Sequence, residues 1–472
     1  MKIKIILGVL LVSVLVVTTA FNQRISINQF ELMDNTPPFL ESSTAWADSV
    51  FKTLTPDERI GQLFMVAAYS NKGTDHVKRI ENLVVNNKIG GLIFMQGGPL
   101  RQAELINRYQ QKSKVPLMVS IDGEWGLAMR LDSVVKYPWQ MTLGAIQDDQ
   151  LIYEMGVDIG EQCKRLGIHV NFAPVVDINV NPKNPIINAR SFGENKENVA
   201  NKGIAYMKGM QSVNVMANAK HFPGHGDTDK DSHKALPIIN HSKARMDSVE
   251  LYPFYKLINS GLASMMVAHL DIPAYAGEDN MATTLSKNVV TGLLQDSLGF
   301  KGLIFTDALN MKGVSSLFAP GVVDVKALIA GNDVLLFSGN VAKGIVEINK
   351  AIARGEITRE AVDARCLKVL KAKEWEGLNN YKPVNKVNLI EDLNTRAYEL
   401  LNRKLSEASL TVLRNDGDIL PLKRLDTLKI ASLVIGEGVV NDFQNELSKY
   451  QQADHFNAKT LNGNNSARLI DT

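Results

Sequence analysis

Cysteine is almost missing from this chain of 472 residues, which carries only Cys163 and Cys366. Two thiols far apart give no disulfide framework and no metal-ligand spacing, and both fall in helical patterns, so two buried thiols are expected. Charge of one sign is missing too. The formal net charge is +2, and no lysine or arginine run occurs, so there is no electrostatic footprint for nucleic acid. Long apolar runs are absent beyond the N-terminus. The one at residues 5–17 follows Lys2 and Lys4, leads through small residues to Ala20, and is short for a membrane span. That is the layout of a secretory signal over residues 1–20. No cysteine near Ala20 is available for a lipid anchor. The expectation is an exported chain, periplasmic or extracellular, with no stable membrane partner unless the segment stays uncleaved. A poorly ordered stretch is expected over residues 21–45.

What is present is a soluble globular composition, 45% hydrophobic and 22% charged, enough for a large core. Apolar runs stand at residues 62–68, 91–95, 117–121, 169–176, 216–221, 265–270, 303–305 and 333–337. Amphipathic patterns lie between them, at 75–85, 103–111, 151–166, 200–210, 248–258, 289–298 and 323–330. Near-continuous apolar strands alternating with helices predict a parallel sheet, and eight of them over about 300 residues fit a closed (β/α)8, TIM-like barrel of the α/β class. The barrel is expected over residues 46–378, closing on a helix at 358–378. A linker over 379–392 and an incomplete second α/β domain over 393–472 follow, with a helix at 393–409 and strands at 410–413 and 429–435.

Polar residues mark the ends of these runs. Asp122, Asp177, Lys220 with His221, His269 and Asp307 each sit at or just past the C-terminal end of a different run. In a barrel those ends converge on the face where active sites are built. Asp307, after the strand GLIFT, can serve as nucleophile, general base or metal ligand, or it can cap a following helix. Residues 220–237, KHFPGHGDTDKDSHKALP, pack three histidines, three aspartates and three lysines into eighteen positions. Within them Asp231 can hold His233 in one tautomer and tune it as an acid/base near neutral pH; the plain alternative is a solvated loop contact. Asp122 with Arg130, beside Trp125, supplies acceptors, a donor fork and an aromatic face of the kind sugars need, and Arg190 offers a second fork. Structural salt bridges are the plain account of each arginine. Asp177 can be a substrate ligand or a buried brace.

A metal hydrolase is a rival reading, since His221, His225, Asp229, Asp231 and His233 can be drawn as a zinc site. Pro223 and Gly224 lie between His221 and His225, so the pair cannot share one helical face. No metal and no cofactor are expected.

Taken together these residues resemble the bacterial β-N-acetylglucosaminidase branch of glycoside hydrolase family 3. The motif KHFPGHGDT from Lys220 followed by DSH and LP carries the resemblance, supported by DINVNP from Asp177, RSFG from Arg190 and the strand-tip Asp307 followed by Asn310 and Met311. It spans about residues 50–375. The resemblance implies a retaining exo-glycosidase acting on terminal β-linked N-acetylglucosamine, in peptidoglycan fragments or chitin oligosaccharides. Asp307 would be the nucleophile and His233, oriented by Asp231, the acid/base. Asp122, Arg130, Arg190, Lys220 and His221 would bind the first sugar. The chain departs from the family at Glu124-Trp125-Gly126, where Glu-Gly-Gly is the common form. A β-glucosidase of the same fold is the alternative, though those branches lack the histidine-rich loop.

Overall fold

The computed structural model describes residues 36–229, 236–276, 281–316, 318–436 and 441–458. The expected signal at 1–20 therefore lies outside the described residues. All eight apolar runs form strands: β1 Phe64–Ala68, β2 Gly91–Phe94, β3 Met118–Ile121, β4 Val170–Asn171, β5 Met216–Phe222, β6 Ser264–Val267, β7 Leu303–Thr306 and β8 Leu335–Leu336. They are parallel and hydrogen-bonded in chain order, and β1 also pairs with β8, Phe64 opposite Leu335. A bridge between Phe305 and Val334 joins β7 to β8 and closes the barrel.

The closure explains the sequence pattern. Each strand has side chains on the barrel interior and on the surrounding helices, so neither face meets water and no polar alternation is needed. Every residue of β2, β3, β5, β6 and β7 is buried. The helices show the complementary period. In Thr74–Asn87 the buried residues Val77, Ile80 and Val84 recur at three and four, one face of an α-helix. The helix Arg359–Trp375 starts at Thr358, whose hydroxyl accepts the Ala361 amide, and ends the ring. Cys163 and Cys366 are free and buried on two of these helices, as their patterns predict.

Several boundaries differ from expectation. Residues 36–45 are not poorly ordered: Pro38–Glu41 is helical, with Phe39 fully buried in the core. The pattern at 248–258 breaks into Lys243–Ser248 and Tyr252–Ile258, the second starting beside Pro253, whose ring cannot continue a helix from above. The pattern at 289–298 winds as a π-helix, Asn288–Ser297. Across 379–392 the chain is tied down, with Asn107 bonding both backbone groups of Val384 and Arg165 bonding the carbonyls of Asn385 and Val387.

Two compact units divide at Leu410, so the helix Arg396–Ala408 belongs to the barrel unit and not to a second domain. Its Asn402 donates to the Lys136 carbonyl at 3.0 Å. The second unit pairs β9 Ile430–Ile435 in parallel with β10 Ala453–Ala458. The helix Asp442–Leu447 lies between them in sequence, opened by a capping box of Asn441 and Gln444. Residues 410–413 form no strand; Leu410, Val412 and Leu413 are exposed. Among the described residues no helix is long and apolar enough to cross a membrane.

Candidate active site

The parallel strands deliver their C-terminal ends to a cavity of about 430 Å³, lined by Asp122, Glu124, Arg130, Arg190, Lys220, His221, His225 and Asp307 among others. Six of the residues expected in the site, Asp122, Arg130, Arg190, Lys220, His221 and Asp307, therefore meet in one place. Asp231 and His233 lie outside the described residues.

Asp122 leaves the tip of β3. The chain turns back through the 3-10 turn Leu127–Met129, and Arg130 Nη2 reaches Asp122 Oδ2 at 2.6 Å. Gly126 makes that return possible. Its φ is +81°, and a Cβ there would meet the Tyr137 ring at 2.8 Å. Trp125, the departure from the family pattern, stacks on Trp139 with centroids 4.5 Å apart and does not line the cavity. The aromatic face expected beside the sugar is thus turned to another ring.

Lys220 stands between two carboxylates. Its Nζ is 2.9 Å from Asp122 Oδ1 and 2.9 Å from Glu124 Oε1. Lys220 and His221 are consecutive yet both line the cavity, which a regular strand would not allow. The β5–β6 register shifts between Ala219 and Phe222, and this irregularity re-aims the strand tip.

Glu124 is the residue that sequence reasoning missed. It has no solvent exposure, and Arg190 holds it through two bonds, Nε to Oε2 at 2.9 Å and Nη2 to Oε1 at 2.7 Å. Burial works to raise the Glu124 pKa, but Arg190 and Lys220 outweigh it and hold the group at about 2. Burial acts the same way on Asp122, and Lys220 and Arg130 hold it well below the carboxylate range. Both stay ionised, so both keep acceptors for a ligand's hydroxyls. Arg130 and Arg190 both stand in salt bridges, as the plain account has it, and both ion pairs line the cavity.

Asp177 takes the brace role. Its carboxylate accepts the His225 amide at 2.7 Å, the His221 amide at 3.2 Å and the His221 ring through Nδ1 at 2.7 Å. Burial opposes ionisation there; His221 and these bonds overcome it, and the pKa falls below the ordinary value. Because the ionised Asp177 can only accept, His221 Nδ1 carries the proton, and in the neutral ring Nε2 can accept from Arg190 Nη2, 3.4 Å away. Asn184 ties the neighbouring loop by donating to the carbonyls of His225 and Gly226 at 2.8 and 3.0 Å. His225 is buried, its Nδ1 meets Thr228 Oγ1 at 2.8 Å, and burial with the nearby His221 lowers its pKa to about 4.

Asp307 follows β7, its amide donating to the Val267 carbonyl at 2.9 Å and its Oδ1 accepting the Ala308 amide at 2.7 Å. No helix starts there. The next one, Lys312–Ser315, has Met311 at its N-cap, so the capping reading of Asp307 is set aside. His269 supports this loop from behind, with Nε2 3.0 Å from the Ala308 carbonyl. Met95, Met129, Met266 and Met311 give the cavity apolar walls. A carboxylate facing paired acceptors and donors within apolar walls can bind a polyol by its hydroxyls and present one anionic oxygen to it.

The family model described as the glycosyl hydrolase family 3 N terminal domain matches residues 55–372. The chain belongs to glycosyl hydrolase family 3. It is 30% identical over 391 residues to beta-hexosaminidase A of Pseudoalteromonas piscicida, covering 75% of this chain and 64% of that protein, so it spans less than two thirds of that relative. A beta-N-acetylglucosaminidase/beta-glucosidase of Cellulomonas fimi is 27% identical over 392 residues, 81% of this chain and 69% of its own length. Among solved structures, a glycoside hydrolase family 3 beta-N-acetylglucosaminidase from Paenibacillus sp. str. FPU-7 superposes with a TM-score of 0.73 at 32% identity, covering 89% of this chain and 82% of that one.

Proposed function

We propose that this chain hydrolyses terminal β-linked N-acetylglucosamine residues with retention of configuration. The observation that carries the reading is Asp307 lining the same cavity as the Asp122–Lys220–Glu124–Arg190 network. That network supplies fixed acceptors and donors for the hydroxyls of one sugar, and Asp307 supplies the nucleophile beside it. In the first step an Asp307 oxygen bonds to the anomeric carbon as the glycosidic carbon–oxygen bond breaks, and His233 gives its proton to the departing oxygen. In the second, water bonds to the anomeric carbon, His233 takes a proton from it, and Asp307 leaves as carboxylate. Asp231 orients His233. A histidine with an ordinary pKa of ~6.5 is suited to both tasks near neutrality.

The N-acetylglucosamine assignment draws on the KHFPGHGDT and DSH motifs and on the names of the relatives. A β-glucosidase is the second reading, favoured by the doubly named Cellulomonas protein. We place the enzyme outside the cytoplasm, acting on wall fragments or chitin oligosaccharides, on the strength of the signal-like N-terminus. Side-by-side hydrolysis of an aryl N-acetyl-β-glucosaminide and the matching aryl β-glucoside tests reaction and specificity together. Faster turnover of the first supports the assignment, faster turnover of the second shifts it to the glucosidase, and neither being cleaved overturns both.

A further inference from the structure

The turn that carries Asp122, Glu124 and Arg130 to the cavity rests on two buried tyrosines. Tyr206 donates its hydroxyl to the Gly123 carbonyl at 3.0 Å, and the Gly123 amide donates to Asn171 Oδ1 at 2.8 Å. Past Glu124 the support is Tyr137. Its amide donates to the Trp125 carbonyl at 3.3 Å, and its ring fills the place of a Gly126 side chain, Cδ2 being 2.8 Å from that Cβ position. The Trp125–Gly126 peptide therefore lies against Tyr137 by a hydrogen bond and by contact. Glu124 stands just before that peptide, and Met129 and Arg130, which line the cavity, follow it.

Tyr137 is in turn held from outside the barrel strands. Asn394 Nδ2 donates to the Ser133 carbonyl at 2.9 Å and Asn402 Nδ2 to the Lys136 carbonyl at 3.0 Å, so two bonds clamp the chain just before Tyr137. The Tyr137 hydroxyl donates to Asp158 Oδ2, 3.4 Å away on the helix Asp149–Arg165. Asn402 belongs to the helix Arg396–Ala408, which is fixed in its own right. Tyr398, Leu401 and Leu405 are its buried residues, spaced by three and four, and it packs on the same helix Asp149–Arg165. The position of Tyr137 is therefore set by two helices packed on each other.

We propose that the helix Arg396–Ala408, which lies beyond the family-matched residues 55–372, sets the geometry of the active-site cavity and with it the affinity for the transferred sugar. Asn394 and Asn402 make the clamp, and Tyr137 is the positioning residue that carries it to the Trp125–Gly126 peptide. The inference rests on the glycosidase reading, in which Glu124 and Arg130 bind that sugar. Slack at the clamp lets the peptide shift, and both binding residues shift with it. Asp307 stands apart from this route, on β7, with His269 supporting its loop. The clamp therefore acts on binding more than on the chemical step. It also carries its own optical marker, because Trp139, two residues past Tyr137, stacks on Trp125.

The test compares the whole chain with its Asn394→Ala/Asn402→Ala and Tyr137→Phe variants. Both asparagines are partly exposed, so the double variant should unfold at a urea concentration close to the parent's. Its KM for an aryl N-acetyl-β-glucosaminide, and the inhibition constant of free N-acetylglucosamine, should rise about fivefold, the order of one hydrogen bond's net contribution. Its kcat should stay within about twofold. The near-ultraviolet circular dichroism of the stacked tryptophans should weaken in step. Tyr137→Phe should raise KM as well, and combining it with the double variant should give less than the product of the two effects, since both act along one route. An unchanged KM and inhibition constant in the double variant, or a fall in kcat alone, would overturn the proposal. If the parent cleaves no glycoside and binds no N-acetylglucosamine, the glycosidase reading fails by itself. The clamp is then read from the NMR signals of His221, whose ring meets Arg190, the partner of Glu124. Displaced signals in the double variant support control of the cavity by the helix; identical signals overturn it.

Discussion

Arg190 holds Glu124 through two parallel hydrogen bonds, 2.9 and 2.7 Å long, and Glu124 is wholly removed from solvent. A buried carboxylate with two cationic partners, Arg190 and Lys220, is a structural commitment rather than a surface ornament. Replacing Glu124 with alanine leaves Arg190 desolvated without its carboxylate, while Lys220 keeps only Asp122. The expected loss is about 3–5 kcal/mol of stability, the size found when one partner of a buried pair is removed. Urea unfolding of Glu124→Ala beside the parent chain measures it, and a loss under about 1 kcal/mol would contradict the account.

The same charges make the fold sensitive to acid. Glu124 is held at about 2 against an ordinary 4.5, so between those values the unfolded chain binds a proton that the folded chain refuses. Its stabilisation is complete above about 4.5 and is lost as pH falls toward 2, and Asp122 and Asp177 are displaced in the same direction. His225, held at about 4 against 6.5, adds a loss that begins near 6.5 and is complete by about 4. The urea midpoint should therefore decline from pH 6.5 downward. In His225→Asn the decline between 6.5 and 4 should be shallower, and in Glu124→Gln the decline below 4.5. Parallel curves for all three proteins would show that other groups set the acid limit.

Much of this arrangement is legible in the sequence, for a definite reason. A parallel barrel buries both faces of every strand, so each strand is a bare apolar run, and the polar residue that ends it marks the catalytic face. Asp122, Lys220, His221 and Asp307 are found this way. Glu124 is not, because its partner Arg190 is 66 positions along the chain and nothing local tells a buried carboxylate from a loop acid. The run at 410–413 misleads for the converse reason: its leucines look like a strand, yet Leu410 and Leu413 are exposed and the run joins no strand among the described residues. The strand Ala453–Ala458 goes unread because it is polar, carrying Asp454, His455 and Asn457, and among the described residues it pairs with one strand, Ile430–Ile435. Trp125 reads as a sugar platform by composition, whereas Trp139, fourteen positions later, takes its face.

Asp307 tests the proposed chemistry most directly. It sits past the end of β7 with its side chain at the cavity, outside the packed layers of the barrel. Asp307→Ala should lower turnover of an aryl N-acetylglucosaminide by about 10⁴-fold or more, the range seen when one member of a catalytic unit is removed. Its unfolding midpoint should stay close to that of the parent. Retained activity in a folded Asp307→Ala protein would remove the nucleophile assignment.

His233 acts, in the proposed mechanism, only on the departing group and on water. A substrate whose leaving group needs no proton should then be spared in the first step. His233→Ala should slow cleavage of a disaccharide far more than formation of the glycosyl-enzyme from an activated nitrophenyl glycoside, as burst kinetics can separate. Equal losses on both substrates would point away from proton transfer and toward a structural part for the loop.

The loop that leads to Asp231 and His233 is pinned at Gly226. A Cβ there would lie 1.8 Å from the Ile178 carbonyl oxygen, and the Gly226 carbonyl accepts from Asn184 at 3.0 Å, so neither the side nor the height of the backbone is free to change. Ile178 follows Asp177, the brace of His221 and His225, so a displacement at Gly226 must push on the same segment that orients the cavity-lining His221. Gly226→Ala should therefore raise KM as well as lower kcat, with a stability loss of about 1–3 kcal/mol from overpacking. Steady-state kinetics on the aryl glycoside, with thermal unfolding alongside, distinguish this from a simple loop defect. A fall in kcat with KM and stability unchanged would mean that the Ile178 contact does not couple the loop to the cavity around His221.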